Sequence, residues 1–206
     1  MSDERFPTVL LFGAPGVGKG TQGAIFGCIP GFFHLSSGAV FRALDPHSPA
    51  GREVTADTVQ GRLVPDELTM RVVFEALDRF VAQKSYQPHS DLLLLDGIPR
   101  TVPQARMLAD RTDVLRVIYL VADDENAIVE RIRQRAVLEN RPDDTDESII
   151  RERFAVYRRE TAPVLDCYPD SIIDRVDAMG TPAEVLRSVL DRLIPVRRAA
   201  FAAQTG

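Results

Sequence analysis

Tryptophan is absent from the chain, and only two cysteines, Cys28 and Cys167, occur in its 206 residues. They lie far apart, with no Cys-x-x-Cys or Cys/His cluster near either, which argues against a disulfide framework or a zinc module and leaves free thiols as the expectation. No window approaches the ~18 consecutive apolar residues that a spanning helix needs, so a membrane protein is excluded. The N-terminal MSDERFP carries acids where a secretory signal would carry a basic and then an apolar stretch, and a cytoplasmic protein is expected. A surplus of positive charge is also missing. With 25 basic and 30 acidic residues the net charge is −5, which argues against a nucleic-acid partner held by a general basic surface. Any anion site must therefore be local. Lysine is the scarcest cation: among the 25 basic residues only Lys19 and Lys84 are not arginine. A chain that uses Arg by default keeps Lys where a compact point charge is wanted.

What is present suits one packed domain with room for an insertion. Hydrophobic residues make up 45% of the chain and charged residues 27%, and the length fits a single unit over 1–206. Residues 8–12 (TVLLF) form an apolar run entering a glycine cluster, as a buried parallel strand does before a loop. Residues 91–96 (DLLLLD) are the clearest strand: four leucines without alternation, buried on both faces and ending at an acid. Further strands are expected at 32–35, 116–121 and 171–176. Helices are expected from Lys19 to about 28, from 36 or 37 to 44, and from Asp66, acting as the cap, to about 80. Others should start at Thr101, with Pro103 in the first turn, and cover 124–135. Asp144 with Glu147 resembles a capping box for a helix to about 165, kinked by Pro163. Thr181 with Glu184 forms another ahead of 185–194. Segment 45–61 reads as exposed or mobile, and 195–206 as a flexible tail. Strands and helices alternate throughout, so an α/β fold with a parallel, five-stranded sheet flanked by helices is expected.

Gly13-Ala14-Pro15-Gly16-Val17-Gly18-Lys19 satisfies the G-x-x-x-x-G-K pattern in the required strand–loop–helix setting. Glycines let the backbone curl so that successive N–H groups point inward at phosphate oxygens, while the following helix aims its positive end at the same place. Lys19 reaches the β/γ phosphates as a point charge. The generic motif has Ser or Thr after the Lys, whereas this chain has Gly20 and then Thr21. Arginines recur at Arg42, Arg100, Arg131, Arg135, Arg141 and Arg153. Arg131 and Arg135 are spaced i, i+4, where like charges repel on one helix face unless an anion neutralises them.

GAPGVGKGTQ resembles the loop of the adenylate kinases, in which the metal is held largely through water, and the resemblance extends from Thr8 to about Leu193. It implies the P-loop NTPase three-layer fold, a nucleoside-monophosphate-binding insertion at 36–66 and a short lid at 136–142. It implies reversible transfer from MgATP to AMP giving two ADP, with Mg²⁺ as cofactor and a monomeric protein. Residue by residue, Arg42 and Arg100 match the pair that grips the acceptor phosphate. Arg135, Arg141 and Arg153 match those that neutralise the transferring group, the last two from the acceptor side, and Arg131 the residue that stacks on the donor adenine. LLLLDGIPRTVPQA, with Gly97 and Gln104, is similar to the family's DGFPRTxxQA signature, whose Gln reads the acceptor adenine. Ser37 and Gly38 match acceptor-site positions, as do Leu63 and Val64, whose main chain cradles the same base. Asp96 matches the acid that orders water around Mg²⁺, and Asp143 with Asp144 the pair at the lid hinge. His34 reads as a strand-end residue. Departures from the pattern are Ala39 in place of an acid, Ile98 in place of an aromatic, and AVLEN in place of a polar, Gly-rich lid turn. Alternatives are a kinase for another nucleoside monophosphate and a nucleotide-responsive binding protein on the same fold.

Overall fold

Both apolar runs lie at the centre of the sheet. The computed structural model describes residues 5–139 and 146–202. Strand β1 (Phe6–Gly13) pairs in parallel with β3 (Leu92–Asp96) on one side and β4 (Thr112–Val121) on the other. β2 (Phe32–Ser36) extends the sheet beyond β3, and β5 (Ile173–Asp177) beyond β4, giving the order β2-β3-β1-β4-β5 with every pair parallel.

Side chains alternate between two cores, as the period of a strand dictates. Leu10, Phe12, Leu93 and Leu95 face one core, which is closed by Leu68, Val72 and Leu77 of α4 (Asp66–Ala82) and Leu108 of α5 (Val102–Ala109). Val9, Leu11, Leu92 and Leu94 face the other, closed by Phe26 of α1 (Lys19–Phe26) and Val185, Val189 and Leu193 of α8 (Pro182–Ala200). Each leucine so buried is worth about 1.5–3 kcal/mol, and for that reason these strands hold the middle of three layers. A third cluster joins Ile128 and Ile132 of α6 (Glu125–Glu139) to Ile150 and Phe154 of α7 (Glu147–Val156), with Ala14 of the glycine loop packed against it. β1, β2 and β3 all end on one side: Ser36 and Leu11 are both in register with Asp96. The crevice beyond those carboxyl ends is where open parallel sheets bind ligands.

Several boundaries differ from the sequence expectation. The stretch read as exposed or mobile contains a helix, α3 (Pro49–Thr58), which follows α2 (Ser37–Arg42). The Ser48 hydroxyl caps it by accepting from the Gly51 N–H at 3.0 Å. α7 is capped by Asp146, since its side chain accepts from Ser148; Asp143 and Asp144 lie outside the described residues. Pro163 has no N–H to offer the carbonyl one turn back, and the chain answers with a π-helical turn, Tyr157–Thr161, and then a 3-10 segment, Ala162–Cys167. The expected tail is corrected: α8 runs to Ala200 with Pro195 inside it. Arg197 anchors this end, donating to the Gly31 carbonyl at 2.7 Å and the Ser90 carbonyl at 3.0 Å. Its guanidinium lies over the Phe32 and Phe201 rings. The segment read as a tail because the contacts that hold it, 166 and 107 positions away, are invisible to local rules. Thr101 and Thr181 do cap α5 and α8, the latter as a full capping box with Glu184. Among the described residues no helix is long and apolar enough to cross a membrane.

Candidate active site

The glycine loop connects β1 to α1. Gly13, Gly16 and Gly18 have φ of 140°, 75° and 106°, a region that L side chains enter only at a cost. Space is as tight as torsion: a Cβ on Gly13 would lie 2.5 Å from the Leu120 carbonyl oxygen, and one on Gly16 would overlap Ile132. No side chain caps the start of α1, so its first N–H groups are left for an anion. The Lys19 ammonium is drawn over the loop by the carbonyls of Gly13 at 2.7 Å and Ala14 at 2.8 Å.

Asp96, at the end of β3, points its carboxylate at the same loop. Its Oδ2 is 3.8 Å from His34 Nε2 and would be 3.5 Å from a Cβ on Gly20. Burial pushes its pKa up, but the neighbouring His34 ring and the Lys19 and Arg100 charges outweigh that and hold it below the usual carboxylate range. Asp96 is therefore ionised at neutral pH. Among the described residues no group of three or more His, Cys, Asp or Glu could hold a metal. One carboxylate beside a phosphate loop suits Mg²⁺ bound through water and phosphate oxygens rather than in a protein cage. Gly20, in the hydroxyl's usual place, offers no direct ligand.

Two cavities meet at the loop. The first, about 500 Å³, is lined by Lys19, Asp96, Arg42, Arg100, Arg153 and Gln104 along with the loop glycines. Arg100 donates from Nε to the Gly97 carbonyl at 2.7 Å. Burial and the neighbouring Arg153 charge lower its pKa, with Asp96 acting in the opposite sense. The second, about 550 Å³, lies between Arg131 and the β5–α8 turn at Ala178–Pro182. Arg131 there donates to the carbonyls of Ala178 at 3.2 Å and Met179 at 3.4 Å. Gly16, Gly18 and Gly20 line both cavities, so two anionic ligands can share the loop while their remaining parts point apart.

Comparison with known proteins agrees with this arrangement. The adenylate kinase family model matches residues 11–173. The chain belongs to the adenylate kinase family. It is 36% identical over 191 residues to the adenylate kinase of Thermobifida fusca, covering 90% of this chain and 97% of that protein. It is 37% identical over 189 residues to that of Corynebacterium aurimucosum, covering 89% and 97%. With the adenylate kinase of Thermus thermophilus the identity is 36% over 183 residues, covering 86% and 91%.

Most of the residues that the family pattern singles out lie on the two cavities. Gly13, Pro15, Gly16, Gly18, Lys19 and Gly20 line the first, as do Gly38, Arg42, Leu63, Val64, Gly97, Arg100, Gln104 and Arg153. Val17, Thr21 and Arg131 line the second, and Ala14 contributes a carbonyl to Lys19. Ser37 lines neither. It is fully buried, and its hydroxyl has no hydrogen-bond partner among the described residues and packs where a Cβ on Gly97 would lie; Ser36 beside it lines the first cavity. Arg135 falls on α6, which continues through 139, well into the segment expected as a lid. The Arg135 side chain and all of Arg141 lie outside the described residues. Sequence reasoning missed Thr55 and Thr58 of α3 and Tyr157, which also line the first cavity. Ser48-Pro49, a cap followed by a first-turn proline, was the available signal for α3. No local signal marks Tyr157.

Proposed function

We propose that the first cavity takes AMP and the second the adenosine of ATP, and that Lys19, Arg42, Arg100, Arg131, Arg135, Arg141 and Arg153 act on the family's reaction, MgATP plus AMP giving two ADP. The observation that carries this reading is the shared loop: three glycines line both cavities, with Lys19 and four arginines, Arg42, Arg62, Arg100 and Arg153, around the one that also holds Asp96. Bringing two polyanions together is opposed by Coulomb repulsion that grows as water is excluded. A cavity already crowded with cations reverses that penalty, because Arg100 and Arg153 disfavour each other until an anion lies between them.

Transfer is direct and in line, without a covalent enzyme intermediate. Phosphoryl transition states leave little covalent work for the protein, so positioning and charge stabilisation do most of it. Loop N–H groups and Lys19 hold the donor phosphates, Arg42 and Arg100 grip the acceptor phosphate, and Arg135, Arg141 and Arg153 neutralise the group in transit. Arg131 covers the donor base. Gln104 and the main chain near Val64 receive the acceptor base. Mg²⁺, when bound, neutralises phosphate charge, and Asp96 is the residue that orders its water. Movement of segment 36–66 over the acceptor excludes water and suppresses ATP hydrolysis. Cys28 and Cys167 are exposed and unpaired, which supports a reducing compartment such as the cytoplasm.

The test is ADP formation from ATP and Mg²⁺, with and without AMP and with UMP or CMP in its place. ADP formation strictly dependent on AMP is expected. Equal rates with a pyrimidine acceptor, or ADP formation without any acceptor, would overturn the assignment.

A further inference from the structure

We propose that Asp66 is a positioning residue that sets which purine the acceptor site takes, by fixing the orientation of the Gln104 amide. The inference rests on the placement of Gln104 at the acceptor base given above. Asp66 is the first residue of α4, where an acid is expected as a helix cap. The cap position is instead occupied by Pro65, and no side chain caps this helix. The Asp66 carboxylate reaches across to the next helix: Oδ1 accepts from the Thr101 hydroxyl at 2.9 Å and from Gln104 Nε2 at 2.8 Å. Thr101 Oγ1 in turn accepts from the Gln104 main-chain N–H at 3.2 Å, as the cap of α5. From the other side, the Arg100 main-chain N–H donates to Gln104 Oε1 at 2.7 Å.

Gln104 is only 1% exposed, yet it lines the first cavity. Its amide has two N–H donors and an oxygen with two lone pairs. One donor is committed to Asp66 and one lone pair to Arg100. Turning the amide by half a revolution would set N–H against N–H at Arg100 and carbonyl against carboxylate at Asp66, both out of water, where unmatched polar groups are most costly. The orientation is therefore locked. What remains for a ligand is one N–H and one lone pair in a fixed order.

That order decides between purines. Adenine has an accepting ring nitrogen beside a donating amino group, which satisfies both. A 6-oxopurine has a ring N–H beside a carbonyl, which would place donor on donor and acceptor on acceptor. An amide free to turn could serve either base, so selectivity against 6-oxopurines rests on the two groups that hold it, the Arg100 main-chain N–H and the Asp66 carboxylate, and Asp66 is the one that a substitution can remove. A plain brace between α4 and α5 would have no such consequence, because loosening it would weaken every acceptor alike.

The experiment measures kcat/KM for AMP and for IMP, with ATP as donor, in the wild type and in Asp66→Ala and Asp66→Asn, alongside urea unfolding. The AMP-to-IMP ratio should fall by about 10-fold or more in Asp66→Ala, the scale on which unmatched polar groups discriminate substrates. In Asp66→Asn, which keeps an accepting oxygen, the ratio should recover to near the wild-type value, and the KM for ATP should not move in either variant. If Asp66→Ala does not fold, Asp66→Ser, too short to reach Gln104, gives the same reading. An unchanged ratio with both acceptors weakened in proportion would overturn the proposal. Failure of the wild type to use AMP would instead overturn the site assignment on which it rests.

Discussion

Replacing Lys19 with Met removes the ammonium and keeps an unbranched stem of nearly the same length. In the folded chain that ammonium is bonded to the carbonyls of Gly13 at 2.7 Å and Ala14 at 2.8 Å, in a partly buried setting. Hydrogen bonds to charged groups are worth about 1.5–3 kcal/mol each, and solvent screening at the cavity mouth places this pair near the low end, so the folding cost should be about 1–3 kcal/mol in all. The effect on turnover is larger. Removing one preorganised donor from a transition state costs about 2.7–4 kcal/mol, and a full charge facing a transferring phosphoryl group belongs at or above the top of that range. At 1.36 kcal/mol per factor of ten, kcat should fall by about 1,000-fold or more. A coupled assay of ADP formation, run beside urea unfolding of the same preparation, separates the two effects. Lys19→Arg should behave more like the Met variant than like the wild type, because a flat guanidinium does not enter the space of a point charge. A folded Lys19→Met protein with kcat within about 10-fold of the wild type would refute the reasoning.

Arg100→Ala should raise the KM for AMP by about 10- to 100-fold, the worth of a charge-assisted contact to phosphate, and leave that for ATP nearly unchanged; two-substrate kinetics showing equal effects would contradict the acceptor role. Gly13→Ala and Gly18→Ala separate torsion from crowding. At Gly18 the φ of 106° is the obstacle, with no atom of the described residues within 4 Å of the added carbon, and about 1–2 kcal/mol should be lost. At Gly13 the Leu120 carbonyl oxygen stands 2.5 Å away, so the loss should be larger by about 1–3 kcal/mol; equal urea midpoints would show the loop to be more yielding than its geometry implies. Asp96 has a pKa held below its ordinary value even though burial acts the other way, so its ionised form stabilises the fold. That stabilisation is complete above about pH 3.9, the ordinary value for Asp, and is lost as pH falls through the depressed value. Asp96→Asn should therefore be less stable at neutral pH and flatten the acid limb of a stability profile, and an unaltered acid limb would show that the carboxylate is not held in this way.

Much of the site could be read in one dimension because its physics is local. A phosphate loop needs glycine at positive φ and a cation at the start of a helix, and Gly13 to Lys19 state both within seven consecutive positions. Four leucines without polar interruption, bounded by an acid on each side, suit a short strand covered on both faces, and β3 is that strand. The caps at Thr101 and Thr181 were legible for the same reason. Local rules failed where a distant contact outweighed them. Residues 195–206 read as a flexible tail, but α8 continues to Ala200 and Arg197 holds that end to Gly31 and Ser90. Asp66 looked like a cap, but its carboxylate is taken by residues 35 and 38 positions away.

The linear order of residues thus settled the fold class, the phosphate loop and the sheet core, each of which depends on backbone torsion or on unbroken apolar runs that bury both faces of a strand. Folding in three dimensions alone settled which arginines share a cavity, that both cavities open onto the same glycines, and that the Gln104 amide is clamped between Asp66 and Arg100. Charge–charge and hydrogen-bond energies depend on distance through space, and separation along the chain carries no information about that distance until the sheet has formed.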